Sequence, residues 1–259
     1  MKFRKLILVG LFSMTGMAFA NIAVDSLYDI WSEDKPAFSK TIHNNDSSKT
    51  AYVKVELLEV TNPLSKDKVE KILSSKEMSE GLFITPSRLI IPPAQSKNIR
   101  FYHPKGRSKD QISYYRVNMM PVLPKKEDGF EVTDKEVLAD SEISAGVGIM
   151  IGFSSILVVQ PKNTVYRTNV KLKEKRIEIH NNGNALIEVV VKAQCKPKEV
   201  LQKLSVDLKH CDTHNVYEQT YRIYPSIPKM IDTEPFADSV EIEVFENGKS
   251  MRKKKYSVT

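Results

Sequence analysis

The stretch His210-Cys211-x-x-His214 sets three possible metal ligands within five residues, and Cys195 stands sixteen positions before Cys211. Structural zinc sites draw on two paired ligand motifs. One cluster facing a lone, distant cysteine is poor material for that. A Cys195–Cys211 disulfide is therefore the default for an exported chain, with a metal centre as the alternative. Closing a loop of this size constrains the unfolded chain by roughly 3 kcal/mol. Nucleophilic catalysis has less to work with. The five histidines, His43, His103, His180, His210 and His214, are scattered over turns and strand ends. No Ser-His-Asp grouping stands in a recognisable motif, and the carboxylates sit mostly among lysines. These residues predict no enzyme, no cofactor and no resident metal.

Export is written at the start of the chain. Lys2, Arg4 and Lys5 form a positive n-region, Leu6 to Phe19 is apolar, and Ala18-Phe19-Ala20 fits a small-x-small cleavage site. The pattern predicts a signal peptide over residues 1–20 and a mature chain from Asn21. Losing those three cations lowers the formal net charge from +7 to +4. That is mildly basic and short of a nucleic-acid-binding field. The run Arg252-Lys-Lys-Lys accordingly reads as a solvated strand edge.

The elements that must position any site are strands almost throughout. Ile22-Ala-Val, Ala37 to Ile42, Tyr52 to Leu58, Gly81 to Pro86, Arg88 to Pro93, Lys97 to Tyr102 and Tyr114 to Met120 are short alternating or β-branched runs between turn clusters. After Pro161 the pattern restarts with Val165 to Leu172, Arg176 to His180, Ala185 to Ala193, Leu201 to Leu208, Val216 to Ile223, Val240 to Phe245 and Met251 to Val258. Asn181-Asn-Gly-Asn and Glu246-Asn-Gly-Lys are hairpin signals. One helix is expected, Ser65 to Met78, with Val69, Ile72 and Leu73 at helical spacing. Seven or so strands on either side of a boundary at 160–166 predict two β-sandwiches in tandem.

The segment Ala145 to Gln160 carries no charge over sixteen residues. A membrane helix needs roughly twenty apolar residues, and this run holds three glycines and many β-branched positions, so the expectation is not a membrane-embedded chain. Gly146-x-Gly lacks the helix and acidic partner of a dinucleotide fingerprint. As a strand, it would place Val147, Ile149, Ile151 and Phe153 on one face. Such an apolar strand is either central to a core or an edge kept for another chain.

In this setting the chain resembles the periplasmic pilus-assembly chaperones of the chaperone–usher pathway, the PapD-like superfamily. Thr85-Pro-Ser-Arg-Leu-Ile-Ile-Pro-Pro-Ala-Gln-Ser-Lys-Asn-Ile-Arg is similar to the family's strand–proline-turn–strand element. Tyr114-Tyr-Arg-Val-Asn-Met-Met-Pro-Val-Leu-Pro is similar to its strand F, and Gly146 to Pro161 to its strand G and interdomain proline. The resemblance implies an all-β boomerang of two immunoglobulin-like domains: residues 21–160, whose last strand binds the pilin, and residues 161–259. It implies a periplasmic location. It also implies donor-strand complementation, in which Val147, Ile149, Ile151 and Phe153 fill the open core of a pilin subunit destined for an outer-membrane usher. Burying three large aliphatics contributes roughly 5–9 kcal/mol. In the free protein the same edge is expected to be shielded by self-association.

The sequence departs from the family at the anchor for the pilin's C-terminal carboxylate. The basic positions of the first strand and strand G fall near Tyr28 and Ile156, and Gln160 stands where an arginine often precedes the interdomain proline. This points to a divergent, alternate-chaperone branch. An anionic terminus still calls for a charge-assisted fork, for which Arg116 is the first candidate. Arg88 and Arg167 follow, with Ser154 or Ser155 as hydroxyl donors. The rival readings are an exported structural pilin or adhesin subunit, and another immunoglobulin-like periplasmic binding protein.

Overall fold

A computed structural model describes residues 22–124, 129, 130, 133, 150–203, 211 and 215–258. The expected signal peptide, most of the charged segment before residue 140, and Val147 and Ile149 lie outside the described residues. Before Pro161 the strands are β1 Ile22–Val24, β2 Tyr28–Trp31, β3 Phe38–Asn44, β4 Ala51–Thr61, β5 Val69–Ile72, β6 Phe83–Thr85, β7 Arg88–Ile91, β8 Ser96–Tyr102, β9 Ser113–Pro121 and β10 Phe153–Val159. Helix α1, Ser75–Glu80, lies between β5 and β6. After Pro161 come β11 Thr168–Lys173, β12 Arg176–Asn181, β13 Ile187–Cys195, helix α2 Lys198–Lys203, β14 Val216–Ile223, β15 Lys229–Asp232, β16 Phe236–Glu246 and β17 Lys249–Ser257.

Period-two alternation decides which side chains face inward. In β13, Ile187, Val189, Val191, Ala193 and Cys195 are buried and the residues between them are not. The first sandwich sets the sheet β1-β3-β8-β6 against β2-β10-β9-β4, with β5 and β7 both on the far edge of β4. Its core holds Ile42, Ile99 and Phe101 from one sheet and Trp31, Leu57, Val117 and Leu157 from the other. The second sets β11-β12-β15 against β14-β13-β16-β17 around Ile177, Ile179, Val189, Val191 and Ile242. The two-sandwich, all-β fold is the one expected.

Three local expectations are corrected. The helix over Ser65 to Met78 is instead strand β5 followed by α1. Val69 to Ile72 pair with Thr61 to Leu58 on the long strand β4, and the helix starts only at the Ser74–Glu77 capping box. Leu201 belongs to α2 rather than to a strand. Pro197 precedes that helix and its carbonyl accepts from Val200 and Leu201, while Leu201 is buried in the second core. Asn181 to Asn184 is not a hairpin turn, because β12 and β13 lie in different sheets. Gly183 is required there by close approach: a Cβ would stand 2.0 Å from the carbonyl oxygen of Val165. The Asn247-Gly248 turn does join the antiparallel pair β16 and β17, with both residues at positive φ. Cys195 and Cys211 form the expected disulfide, so neither remains as a thiolate ligand.

The first chain segment switches sheets. Strand β1 pairs with β3, and three residues later β2 pairs with β10 in the other sheet. Lys40 of β3 fastens the crossing. Its buried ammonium donates to the Ser26 carbonyl and to Asp29 Oδ2, the latter at 2.7 Å. Removing one member of a buried pair leaves the other charge uncompensated. Lys40→Met is expected to lower stability by about 3–5 kcal/mol, measured as the shift in urea midpoint; a change within experimental error would show that the crossing does not depend on this pair.

Candidate functional site

Strand β10 is flanked unequally. On one side β9 runs antiparallel along its whole length, from Phe153 opposite Met119 to Val159 opposite Ser113. On the other side β2 runs parallel to it only over Ile156 to Val159, with further bonds from the Ile156 amide to the Leu27 carbonyl at 2.9 Å and from the Gln160 amide to the Trp31 carbonyl at 3.0 Å. From Ser155 back to Met150 that side carries no strand among the described residues. Met150 and Ile151 there are 48% and 41% exposed.

The sequence-derived residues are distributed as follows. Ile151 lies at the open edge, while Val147 and Ile149 lie outside the described residues. Phe153 is half-buried against the core of its own sandwich. Ser155 also faces that core with no exposure, and its hydroxyl has no partner among the described residues; from there it reaches no ligand outside. Ser154 is on the opposite face and is exposed. Its hydroxyl accepts from Arg116 Nη1 at 3.2 Å and donates to Asn118 at 2.8 Å. Arg88 lies elsewhere, beside Gly129. Arg167 lines a cavity of about 450 Å³ in the second sandwich with Arg252 and Glu246. Arg116 and Ser154 are thus brought together, and Arg88 and Arg167 are not.

Arg116 already holds a carboxylate. Its Nε and Nη2 donate to the two oxygens of Glu70 at 2.9 and 2.7 Å, and Lys68 adds a contact to Glu70 at 2.8 Å. The hydrogen bonds from Arg116 and then Lys68 bring the Glu70 carboxyl down to about 2.

One ladder row explains why the anchor was hard to place. Tyr28, Ile156, Arg116 and Leu58 are successive partners across β2, β10, β9 and β4. Tyr28 and Ile156, the positions where the family carries its basic pair, are therefore direct neighbours. A second cation arrives from the other sandwich. Arg222 of β14 lies 3.9 Å over the Tyr28 ring, and its Nε is 3.5 Å from Glu188. The Tyr28 hydroxyl shares a 2.8 Å hydrogen bond with that of Tyr224, whose ring packs on Tyr114 at 5.7 Å. Burial, then the bond to Tyr224, pushes the Tyr28 phenol up, and burial does the same to Tyr114. These hydroxyls stay protonated as donors. Arg222 and Tyr224 escaped the sequence reading because nothing local marks them: Tyr28 and Tyr224 are 196 residues apart.

Two uncharged amide side chains, Gln160 and Asn184, bridge the sandwiches, and Arg107 braces the first sandwich beside them. Gln160, buried, donates through Nε2 to the Leu186 carbonyl at 2.9 Å and accepts the Leu186 amide at 3.0 Å. Asn184 donates to the carbonyls of Asp110 and Asn163. Arg107 stacks 4.6 Å over Trp31 and donates to the carbonyls of Ser32 and Lys35. The structure also gathers Asp25, His43 and Ser96, with both ring nitrogens of His43 at 2.7 Å from their partners. This trio, with Asp25 just after β1, His43 on β3 and Ser96 on β8, lies on an exposed face where it ties the strands together.

No family model matches the chain. It is 28% identical over 237 residues to a CS1 fimbrial protein of Escherichia coli that is named as a subunit, covering 87% of this chain and 90% of that one. It is 27% identical over 178 residues to the probable fimbrial chaperone EcpB of an enterotoxigenic Escherichia coli strain, covering 66% and 69%. Among solved structures, the class 5 fimbriae chaperone CfaA matches with a TM-score of 0.53 at 19% identity, over 92% of this chain and 99% of that one. The Salmonella enterica SafB chaperone, solved in complex with the SafA pilin, matches with a TM-score of 0.50 at 12% identity over 92% and 97%. The chain is thus related in sequence, and alike in fold, to the fimbrial chaperones of the chaperone–usher pathway.

The Glu70–Arg116 pair makes a pH prediction. A carboxyl held below its ordinary 4.5 favours the folded state above that value and loses this contribution as pH falls towards about 2. The side-chain carboxyl resonance of Glu70 is expected to titrate near 2, and to return towards 4.5 in Arg116→Gln. An unshifted titration in the wild type would mean that the pair does not persist in solution.

Proposed function

We propose that this chain is a periplasmic chaperone that binds a fimbrial subunit along the open side of β10, extended upstream through Ile151, Ile149 and Val147, and delivers it to an outer-membrane usher. The observation carrying this reading is the half-covered edge of β10. A strand with one side unpaired over several residues, and large aliphatic residues exposed beside it, offers main-chain bonds to an added strand and apolar side chains for its pockets. Kinship with fimbrial chaperones supports the same reading. On it, residues 21–160 form the pilin-binding domain after removal of a signal peptide, and residues 161–259 form the second domain.

The pilin's terminal carboxylate would lie over Ile156, between Arg116 on one side and the Arg222–Tyr28–Tyr224 cluster on the other. Neighbouring strands are about 4.8 Å apart, so guanidinium groups flanking a single strand can reach one carboxylate between them. No step calls for catalysis or a cofactor, because the pilin is held by strand pairing and released by exchange.

The name of the CS1 relative, a fimbrial subunit, favours the rival reading of a structural subunit. Periplasmic co-expression with fimbrial subunits encoded by neighbouring genes separates the two. The wild type is expected to stay soluble and to be recovered in a stoichiometric complex, which the folded Ile149→Asp/Ile151→Asp variant loses. Undiminished capture by that variant would remove the donor strand from the mechanism, and polymerisation of the chain alone would favour the structural subunit. The free chaperone is further expected to shield its edge by pairing with a second copy. Light scattering showing only monomer at high micromolar concentration would dispose of that arrangement.

A further inference from the structure

Glu70 comes from β5, a short strand added at the edge of the sheet beyond β4. Strand β5 and helix α1 extend the far edge of β4, and Glu70 reaches from β5 across β4 to Arg116 on β9. The geometry is that of a carboxylate recognised by an arginine fork, two parallel bonds at 2.9 and 2.7 Å. The third contact of the guanidinium, at 3.2 Å, goes to Ser154 of β10, beside the open edge. The pair is about a quarter exposed on each side, at 27% and 24%, so water and solutes reach it.

We propose that Glu70 is a built-in competitor that occupies the Arg116 fork until a carboxylate presented by a strand docked on β10 displaces it, making Glu70 a determinant of specificity. This rests on the carboxylate placement proposed above. A tethered carboxylate acts at a high effective concentration, and a free anion in solution has no such advantage. A ligand already paired along β10 is tethered too and competes on equal terms. Free anions are refused and a strand-borne carboxylate is admitted. The displaced Glu70 keeps Lys68, its 2.8 Å partner, so release does not strand a charge.

Two arms test this. In the first, the Nε–H resonance of Arg116 is followed while sodium acetate is added at constant ionic strength. The wild type is expected not to respond. Glu70→Gln is expected to shift in a saturable way, and the Nε–H resonance of Arg88, which lies elsewhere beside Gly129, gives the background for non-specific effects. Equal response of the wild type and Glu70→Gln would overturn the proposal, as would no saturable response in Glu70→Gln with the protein folded by its amide spectrum. In the second arm, pilin capture by Glu70→Gln is expected to tighten by roughly fivefold, the scale of a partly exposed ion pair, and this gain should vanish with a pilin lacking its last residues. Unchanged or weaker capture would overturn Glu70 as competitor. If no variant captures any pilin, the donor-strand reading fails, while the acetate arm still decides whether Glu70 guards the arginine.

Discussion

A strand in a sheet has two edges to satisfy, and among the described residues β10 satisfies both only from Ile156 onward. This follows from where β2 begins. The first strand must leave one sheet and join the other, and the Lys40 ammonium, bonded to the Ser26 carbonyl and to Asp29, fixes the crossing immediately before Tyr28. A crossing some residues earlier would let β2 cover more of β10. Placed as it is, a buried ion pair between the two sheets sets the length of open edge in one of them. Exposed edges invite pairing, so an open stretch lined by Met150 and Ile151 is an aggregation hazard unless another chain regularly occupies it.

The electrostatics beside that edge follow from the same ladder row. Ile156 and Tyr28 leave the floor of the cleft without a charge of its own, and the cations stand at its flanks on β9 and β14. Each is attended by an acid, Glu70 on Arg116 and, more loosely at 3.5 Å, Glu188 on Arg222. A guanidinium between two sandwiches is easier to keep there when neighbouring carboxylates compensate it. The Tyr28 hydroxyl, kept protonated by its burial, supplies a donor at no cost in charge. The arrangement therefore favours an anion arriving already desolvated by strand docking over one drifting in from solvent.

How much of this was legible depended on whether the information was local. Alternation in Arg176 to His180 and Ala185 to Ala193 announced strands, export chemistry announced the disulfide, and the Asn247-Gly248 turn announced its hairpin. The region of residues 65–80 misled because Val69, Ile72 and Leu73 fit a helical period as well as a short strand. What decides between them is the free edge of β4, an eleven-residue strand, and no pattern within the segment reports that edge. Asn181 to Asn184 misled for the opposite reason: a strong hairpin signature was overridden by hydrogen bonding of the segment to residues 165–167, a close approach that Gly183 permits. At the site, Arg116 and the adjacency of Tyr28 and Ile156 could be reached through the family resemblance. The carboxylate already on Arg116, and the arginine above Tyr28, come from elements that only folding brings near.

The junction bears on how the cleft works. Gln160, where a charged residue was the family expectation, makes a two-bond amide pair with the Leu186 backbone, as a strand would. Together with Asn184 on the Asp110 carbonyl, it extends the hydrogen-bonded frame of the first sandwich into the second. Neutral bonds of this kind are insensitive to salt and pH, unlike exposed ion pairs. They hold Arg222 and Tyr224 against Tyr28 before any partner is present. Preorganisation lowers the ordering cost of binding, which matters when part of the partner's binding energy must go to displacing a resident carboxylate. A loosely hinged pair of sandwiches would have to order the cleft and expel Glu70 in the same event. With the junction fixed, only the second task remains.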